Sequence, residues 1–360
     1  MRVRLEDVCE KESSKLKQSD VLDQNGLYPV YGASGYLGNI NTYQQSNYYV
    51  AVVKDGAGIG RTMLLPPKSS IIGTMQYLIP KDNVQPEYLY YVVKAKHLEK
   101  YFSGATIPHI YFKDYKNEQF DLVSFEEQRD IINRLRKIEK VIDNLSKNLL
   151  LLDELVKARF VEMFGDVQDA KKHRSIQLKD ICNTVTGGTP STKHVEYYNG
   201  AIPWISTVSL GPNYIDGTTA KAFITQEAVD NSSTKIIPSG SILFGTRVGV
   251  GKSSINQVEM CTNQDIVAII DLDESKYNKL YIKYVLDTYQ SYFDSIKKGA
   301  TILGISSDDL KNIYVPDASL YEQDRFEKFV KQIDKSRSRI QKSLEASQEL
   351  FDSLMQEYFG

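Results

Sequence analysis

Cysteine is scarce: Cys9, Cys182 and Cys261 are three in 360 residues, too few and too far apart for a disulfide framework, and none stands in a Cys-x-x-Cys pair. They are expected to be reduced and buried. His97, His109, His173 and His194 are as scattered, none within two to five residues of another or of a cysteine, so the spacing of a zinc site is missing. No apolar run approaches the roughly 20 residues that cross a bilayer. Met1 to Glu10 also lacks the apolar stretch of a signal peptide, so the expected location is the cytoplasm. An excess of one charge is absent too. Lys and Arg number 44 against 46 Asp and Glu, a net charge of −2. Residues 1–120 carry 14 basic against 12 acidic side chains, 121–165 carry 8 against 9, 166–318 carry 15 against 17, and 319–360 carry 7 against 8. A chain that gripped nucleic acid unaided would carry a positive stripe, because neutralising phosphates supplies much of the affinity. Any such binding here needs local patches hidden in these totals, or partners that share the grip.

What is present is a repeat. The chain is longer than one hydrophobic core usually organises, which favours two or more domains. The run Gly104-Ala105-Thr106-Ile107 returns 195 residues later as Gly299-Ala300-Thr301-Ile302. At that offset Ser103 to Gly165 aligns without a gap on Lys298 to Gly360, and about twenty of the 63 positions are identical. Among them are Asp114/Asp309, Lys116/Lys311, Asn117/Asn312, Glu127/Glu322, Gln128/Gln323 and Leu155/Leu350, with the pairs Phe164-Gly165 and Phe359-Gly360 closing the copies. Upstream, Leu5-Glu6-Asp7-Val8-Cys9 matches Leu178-Lys179-Asp180-Ile181-Cys182, and Gly58-Ile59-Gly60-Arg61 matches Gly249-Val250-Gly251-Lys252. The offsets differ, so the second copy holds inserted residues: a shared scaffold with divergent loops.

Each copy reads as a variable module, 1–120 and 166–318, followed by a constant helix, 121–165 and 319–360. Ser124 with Glu127, and Ser319 with Glu322, have the spacing of a capping box. Beyond the first, Ile131, Leu135, Ile138, Ile142, Leu145, Leu149, Leu152 and Val156 alternate steps of four and three, the seam of a coiled coil. The second copy places Phe326, Val330, Ile333, Ile340, Leu344 and Phe351 equivalently, with Arg337 and Ser347 interrupting the seam. Two such helices in one chain can satisfy each other as an antiparallel pair with a module at each end. A helix from Phe125 to Arg159 is roughly 50 Å long at ~1.5 Å per residue, a ruler with approximate two-fold symmetry. An ordinary bundle core or an intermolecular zipper is the alternative.

The modules are rich in strand and turn. In the first, Tyr48 to Val53 leads through Lys54-Asp55-Gly56-Ala57-Gly58-Ile59-Gly60-Arg61 to Met63-Leu64-Leu65. In the second, Ser241 to Phe244 leads to Gly245-Thr246-Arg247-Val248-Gly249-Val250-Gly251-Lys252. A short helix follows in each, at Glu87 to Lys96 and Lys279 to Tyr289. The fold class is thus α+β. Gly-Val-Gly-Lys-Ser at 249–253 suggests phosphate binding, but Thr246 stands where a P-loop needs its first glycine, and Ser253-Ser254-Ile255-Asn256 has no helical pattern to receive a phosphate. Gly56-x-Gly58-x-Gly60 is followed by prolines rather than a helix, so it is no dinucleotide fingerprint. Either the glycines let a backbone approach an outside surface, with Arg61 and Lys252 projecting at the tips, or the loops are tight hairpins with solvated basic residues. The polar run Gly187 to Lys193 could bond bases or phosphates, or be a turn. Trp204, among Ile202, Pro203 and Ile205, reads as core. No Asn-Pro-Pro-aromatic or Asp-Pro-Pro-Tyr motif and no clustered acid, base and nucleophile is present, which speaks against an enzyme. A coiled-coil adaptor without a nucleic-acid role would keep the helices but have no use for two related, loop-diverged modules.

Thr186-Gly187-Gly188-Thr189-Pro190-Ser191, then Ile202-Pro203-Trp204-Ile205, Asn263-Gln264, Gly299-Ala300-Thr301 and the capped heptad helix resemble the target-recognition domain and spacer of type I restriction-modification specificity subunits. The first module resembles another class in that family, through Tyr28-Pro29-Val30-Tyr31-Gly32-Ala33-Ser34-Gly35-Tyr36-Leu37-Gly38. The resemblance implies that each module reads one half of a split site on double-stranded DNA, asymmetric because the modules differ in class. It also implies that the helices set the unspecific gap, that their outer faces dock two methyltransferase subunits, and that restriction subunits with an ATP-driven motor join that core. The chain would hold no cofactor; S-adenosylmethionine and ATP would sit on the partners. The candidate DNA-contacting residues are Ser34, Tyr36, Lys54, Arg61 and His109 in the first copy, and Thr189, Ser191, Lys193, Arg247, Lys252 and Thr301 in the second.

Overall fold

A computed structural model of the chain describes residues 1–22, 25–103, 108–166, 175–299 and 301–360. The repeated run Gly104 to Ile107, and Ala300 of its second copy, lie outside the described residues. The protein is α+β and divides into two units, Met1–Asn148 with Ile340–Gly360, and Leu149–Arg339.

In chain order the first half runs β1 (Arg2–Arg4), α1 (Leu5–Val8), β2 (Cys9–Ser13), α2 (Ser19–Leu22), β3 (Tyr28–Gly32), β4 (Gly35–Ile40), β5 (Tyr49–Val53), β6 (Thr62–Leu65) and β7 (Ser70–Ile71). It continues with β8 (Met75–Pro80), α3 (Pro86–Ala95), α4 (Phe112–Tyr115), β9 (Gln119–Asp121) and the 40-residue α5 (Phe125–Phe164). An antiparallel sheet has the order β2-β8-β5-β6, and a second sheet has the order β4-β3-β7 with β3 and β7 parallel. All five residues of β5 are buried. Successive strand residues face opposite sides, so Val50 and Val52 join Leu78 and α3's Tyr88, Leu89 and Val92 in one core, while Tyr49, Ala51 and Val53 join Met75 and Tyr77 in another. The edge strand β2 carries Glu10, Lys11 and Glu12 exposed, charges that discourage pairing with another chain.

The second half runs β10 (Ser175–Gln177), β11 (Asn183–Thr186), β12 (Ile202–Ile205), β13 (Tyr214–Ile215), β14 (Ala222–Ile224), α6 (Gln226–Asp230), β15 (Ile242–Gly245), β16 (Ser253–Asn256) and β17 (Cys261–Thr262). Then follow β18 (Ile266–Ile270), α7 (Lys279–Thr288), α8 (Gln290–Ile296), α9 (Ser307–Lys311), β19 (Tyr314–Pro316) and the 40-residue α10 (Leu320–Phe359). Its sheets repeat those of the first half: β11-β18-β15-β16 with β13 added at the edge, and β14-β12-β17 with β12 and β17 parallel. The inside-outside alternation also recurs, Ile242, Phe244, Val267 and Ile269 facing one core and Leu243, Ile266 and Ala268 another.

The correspondence extends to single bonds. Leu5 N donates to Glu118 O at 2.9 Å, and Leu178 N to Ile313 O at 3.1 Å. Cys9 Sγ and Cys182 Sγ lie 3.2 and 3.1 Å from the carbonyls of Leu5 and Leu178. Cys9 and Cys261 are buried but Cys182 is only half-buried, which corrects the expectation that all three are buried. Burial pushes the Cys9 thiol up to about 12 and the Cys182 and Cys261 thiols up to about 11, so none is a ready nucleophile.

Both long helices start at complete capping boxes. Ser124 Oγ accepts from Glu127 N at 3.3 Å while Ser124 N donates to Glu127 Oε2 at 3.0 Å. Ser319 and Glu322 repeat both bonds at the same lengths. On α5, Leu135 and Val156 are buried and Ile131, Ile138, Ile142, Leu145, Leu149 and Leu152 half-buried. On α10, Phe326, Val330, Ile333 and Phe351 are buried and Ile340 and Leu344 half-buried. Within the first unit, Ile132 and Leu135 near the start of α5 share a core with Phe351, Met355 and Phe359 at the end of α10. Within the second, Val156 and Phe160 near the end of α5 share one with Phe326, Val330 and Ile333 near the start of α10. The helices therefore pack antiparallel in each unit. At the seam interruption, Arg337 Nη2 reaches Asp153 Oδ1 of α5 at 2.5 Å, a polar pairing of the kind that fixes register.

Candidate nucleic-acid interface

The glycine loops are built alike. Gly58 and Gly60 in the first, and Gly249 and Gly251 in the second, all have φ between 72° and 91°, a region side chains rarely enter. A Cβ on Gly60 would stand 2.6 Å from Glu99 N, and one on Gly251 would run into the Gln290 carboxamide. Glu99 and Gln290 follow α3 and α7, so these glycines close each loop on its own module. Gly60 and Gly251 thus pack within their own modules, whereas a Cβ on Gly56 would meet nothing within 4 Å. Arg61 does not project: its guanidinium folds over Gly58 and Nη1 donates to Ala33 O at 2.8 Å. Lys252 likewise lays its aliphatic chain over Gly249. Both residues remain exposed. Ser253–Asn256 is a strand, so no helix opens behind Gly-Lys-Ser.

In the first module the Arg61 bond brings the glycine loop to the β3–β4 turn, where Ser34 is exposed. Close by, Tyr36 is 61% exposed, donates to Asn39 Oδ1 at 3.2 Å and sets its ring edge against Tyr31. At the loop's other end His109 Nδ1 lies 2.6 Å from Asp55 Oδ1, with Lys54 Nζ 3.9 Å from Asp55 Oδ2. Ser103 and His109 bond to each other through their backbones, at 2.9 and 2.8 Å, and Gly56 N donates to Pro108 O at 3.0 Å, which sets His109 beside the loop.

In the second module Arg247 Nη1 lies 3.7 Å from Asp265 Oδ1. Thr189 Oγ1 donates to Gln264 Oε1 at 2.5 Å, joining the polar run Gly187–Lys193 to the same turn. Ser191 and Lys193 lie further along that run, exposed. Lys298 and Gly304 pair through their backbones at 2.8 and 3.0 Å, and between them Thr301 is exposed. Trp204 is buried and donates Nε1–H to Gly188 O at 3.0 Å, anchoring the polar run from beneath. Thus Thr189, Arg247 and the hairpin bearing Thr301 meet around one glycine loop, as Ser34, Arg61, Lys54 and His109 do around the other. Asp55 and Asp265 carry no signature in the sequence, because His109 and Arg247, beside which they lie, are remote in the chain.

Among the described residues no cluster of three or more His, Cys, Asp or Glu could hold a metal ion, and no helix is long and apolar enough to cross a membrane.

Each unit thus holds a strand-rich module with a polar loop edge, packed on the start of one long helix and the end of the other. Residues 1–152 and 171–348 match the family described as the type I restriction modification DNA specificity domain, and the chain belongs to that family. It is 34% identical over 150 residues, 41% of this chain and 35% of the other, to the type I restriction enzyme MjaIX specificity subunit of Methanocaldococcus jannaschii. It is 31% identical over 183 residues, 48% of this chain and 44% of the other, to the EcoR124I/EcoR124II specificity subunit of Escherichia coli. The matched stretch is less than half the length of either relative. In fold it resembles the crystal structure of a type I restriction-modification S subunit from M. genitalium, with a TM-score of 0.58, 15% identity, and coverage of 100% of this chain and 96% of that one.

Proposed function

We propose that the chain is the DNA-reading subunit of a type I restriction-modification complex, and that it acts by binding and measuring rather than by catalysis. Residues 1–120 and 166–318 each read one half of a bipartite duplex site, and residues 121–165 and 319–360 are the spacers between them. The observation that carries this reading is the repeat itself. The two modules have the same sheet order and matching backbone bonds, yet differ in the loops that gather the candidate contact residues. A shared scaffold with divergent loops suits two readers of different sequences, so the site is asymmetric. Each long helix is 40 residues, about 60 Å at ~1.5 Å per residue, which sets the scale of the unspecific gap.

Two methyltransferase subunits dock on the outer faces of the helices, and restriction subunits with an ATP-driven motor join them. S-adenosylmethionine and ATP bind those partners, in the cytoplasm. The net charge of −2 fits a subunit that shares its hold on phosphates with its partners. Mapping methylated adenines in host DNA tests the reading: a single split, non-palindromic motif that disappears when this gene is deleted supports it. Methylation unaltered by the deletion overturns it.

A further inference from the structure

The polar cluster beside the second glycine loop identifies a base reader, an inference that rests on the proposed function and deepens it. Asp265 lies in the turn that enters β18, its side chain 14% exposed. Its Oδ2 accepts from Asn263 Nδ2 at 3.1 Å, and Oδ1 lies 3.7 Å from Arg247 Nη1. The amide and hydroxyl of Thr246 both donate to the Asp265 carbonyl, at 2.8 and 3.1 Å, which ties the acid to the residue just before the arginine. From the other side Ile305 N donates to Thr246 O at 2.8 Å. Gly304 sits so close that a Cβ there would stand 2.9 Å from Arg247 Cγ. The root of the Arg247 side chain is therefore packed against Gly304 and its guanidinium lies within ion-pair reach of a fixed carboxylate, while the side chain is still 56% exposed.

An arginine so arranged has lost much of its rotamer freedom before any ligand arrives. A phosphate contact asks only for a positive charge; a base edge asks for a planar fork held at a set angle. We infer that Arg247 reads a guanine in the half-site of the second module, donating two hydrogen bonds to O6 and N7 in the major groove, and that Asp265 is its positioning residue. The first module differs where its glycine loop meets the bonded pair Ser103 and His109. There the partner of the acid is His109, whose ring has one nitrogen already engaged with Asp55 and cannot form the two-pronged guanine contact.

The test uses the chain in complex with its methyltransferase subunits, with the methylated motif mapped for wild type, R247A, R247K, D265N and H109A. The expected wild-type motif has an obligatory guanine in one half. R247A and R247K relax that position, with roughly 5- to 150-fold lost discrimination, and leave the other half intact. D265N weakens binding to the same motif, and H109A alters only the opposite half. The inference is overturned if R247A keeps every position as selective as before. It is also overturned if the variant weakens all sequences alike with a salt slope smaller by about one, the mark of a phosphate contact. Equal melting temperatures for R247A, R247K and wild type separate loss of reading from loss of folding. A wild-type complex with no split motif overturns the proposed function and this inference together, whereas a split motif indifferent to residue 247 overturns the inference alone.

Discussion

Gln128 and Gln323, 195 residues apart, form the same joint. Both side chains are fully buried. Gln128 Oε1 accepts from Gln85 N at 2.8 Å, and its Nε2 donates to Asn83 O and Val123 O at 3.3 and 3.1 Å. Gln323 Oε1 accepts from Asn278 N at 2.8 Å, and its Nε2 donates to Lys276 O and Ala318 O at 3.0 and 2.9 Å. Each glutamine pins the turn before a module helix, α3 or α7, to the first turn of a long helix, α5 or α10. Leucine at either position leaves one amide and two carbonyls without their partner, so Q128L or Q323L should each cost about 2–4 kcal/mol. Urea denaturation measures the loss. Hydrogen exchange should show α3 losing protection in Q128L and α7 in Q323L, and full protection in both would contradict the joint.

The far ends of the helices are held in matching fashion. Phe359 sets its ring 5.2 Å from Tyr88, and Phe164 sets its ring 4.7 Å from Tyr281. Each unit thus contains the capped start of one long helix and the aromatic end of the other. In the first unit the buried Lys96 donates to Phe359 O at 2.5 Å, and burial lowers its pKa from the ordinary lysine range.

Acid should loosen the helix starts. The Ser124 hydroxyl and amide bond the Glu127 carboxylate, and Ser319 does the same for Glu322, holding both carboxyls below the ordinary glutamate range. A depressed folded pKa contributes stability that is present above the unfolded value and is lost as pH falls through the folded one. The E127Q/E322Q double variant should therefore lose less stability than wild type on going from neutral to acidic pH. Thermal midpoints measured across that range check this; parallel curves would contradict it.

If the helices set the gap, lengthening both should widen it. Seven residues inserted after Ser146 and seven after the matching Gln341 preserve the heptad register and add about 10 Å to each helix, some three base pairs of duplex. The mapped motif should keep both halves with a longer spacer between them. An unaltered spacer would defeat the ruler.

Much of the fold was legible because it is written locally. Capping boxes, heptad steps and the Tyr49–Val53 run all depend on neighbours within a few residues, and a repeat doubles each signal. The first module's α3, Pro86–Ala95, falls one residue from the boundaries its pattern suggests. The sites were less legible. Gly60 and Gly251 look like approaches to an outside ligand until Glu99 and Gln290, some forty residues on, prove to be what they pack against. Arg61 could not be known to reach back to Ala33, nor Arg247 to lie by Asp265, since such pairs are made by sheet topology rather than by spacing. The identity of Gln128 and Gln323 was visible in the repeat; their role was not, because it lies in bonds to turns of another element.

The most direct test exchanges residues 1–120 for the matching module of a different specificity protein and maps the methylated motif of the resulting complex. One half of the motif should change to that of the donor, with the second half and the spacer length untouched. A change in both halves, or in neither, would contradict the claim that two separate readers share this chain.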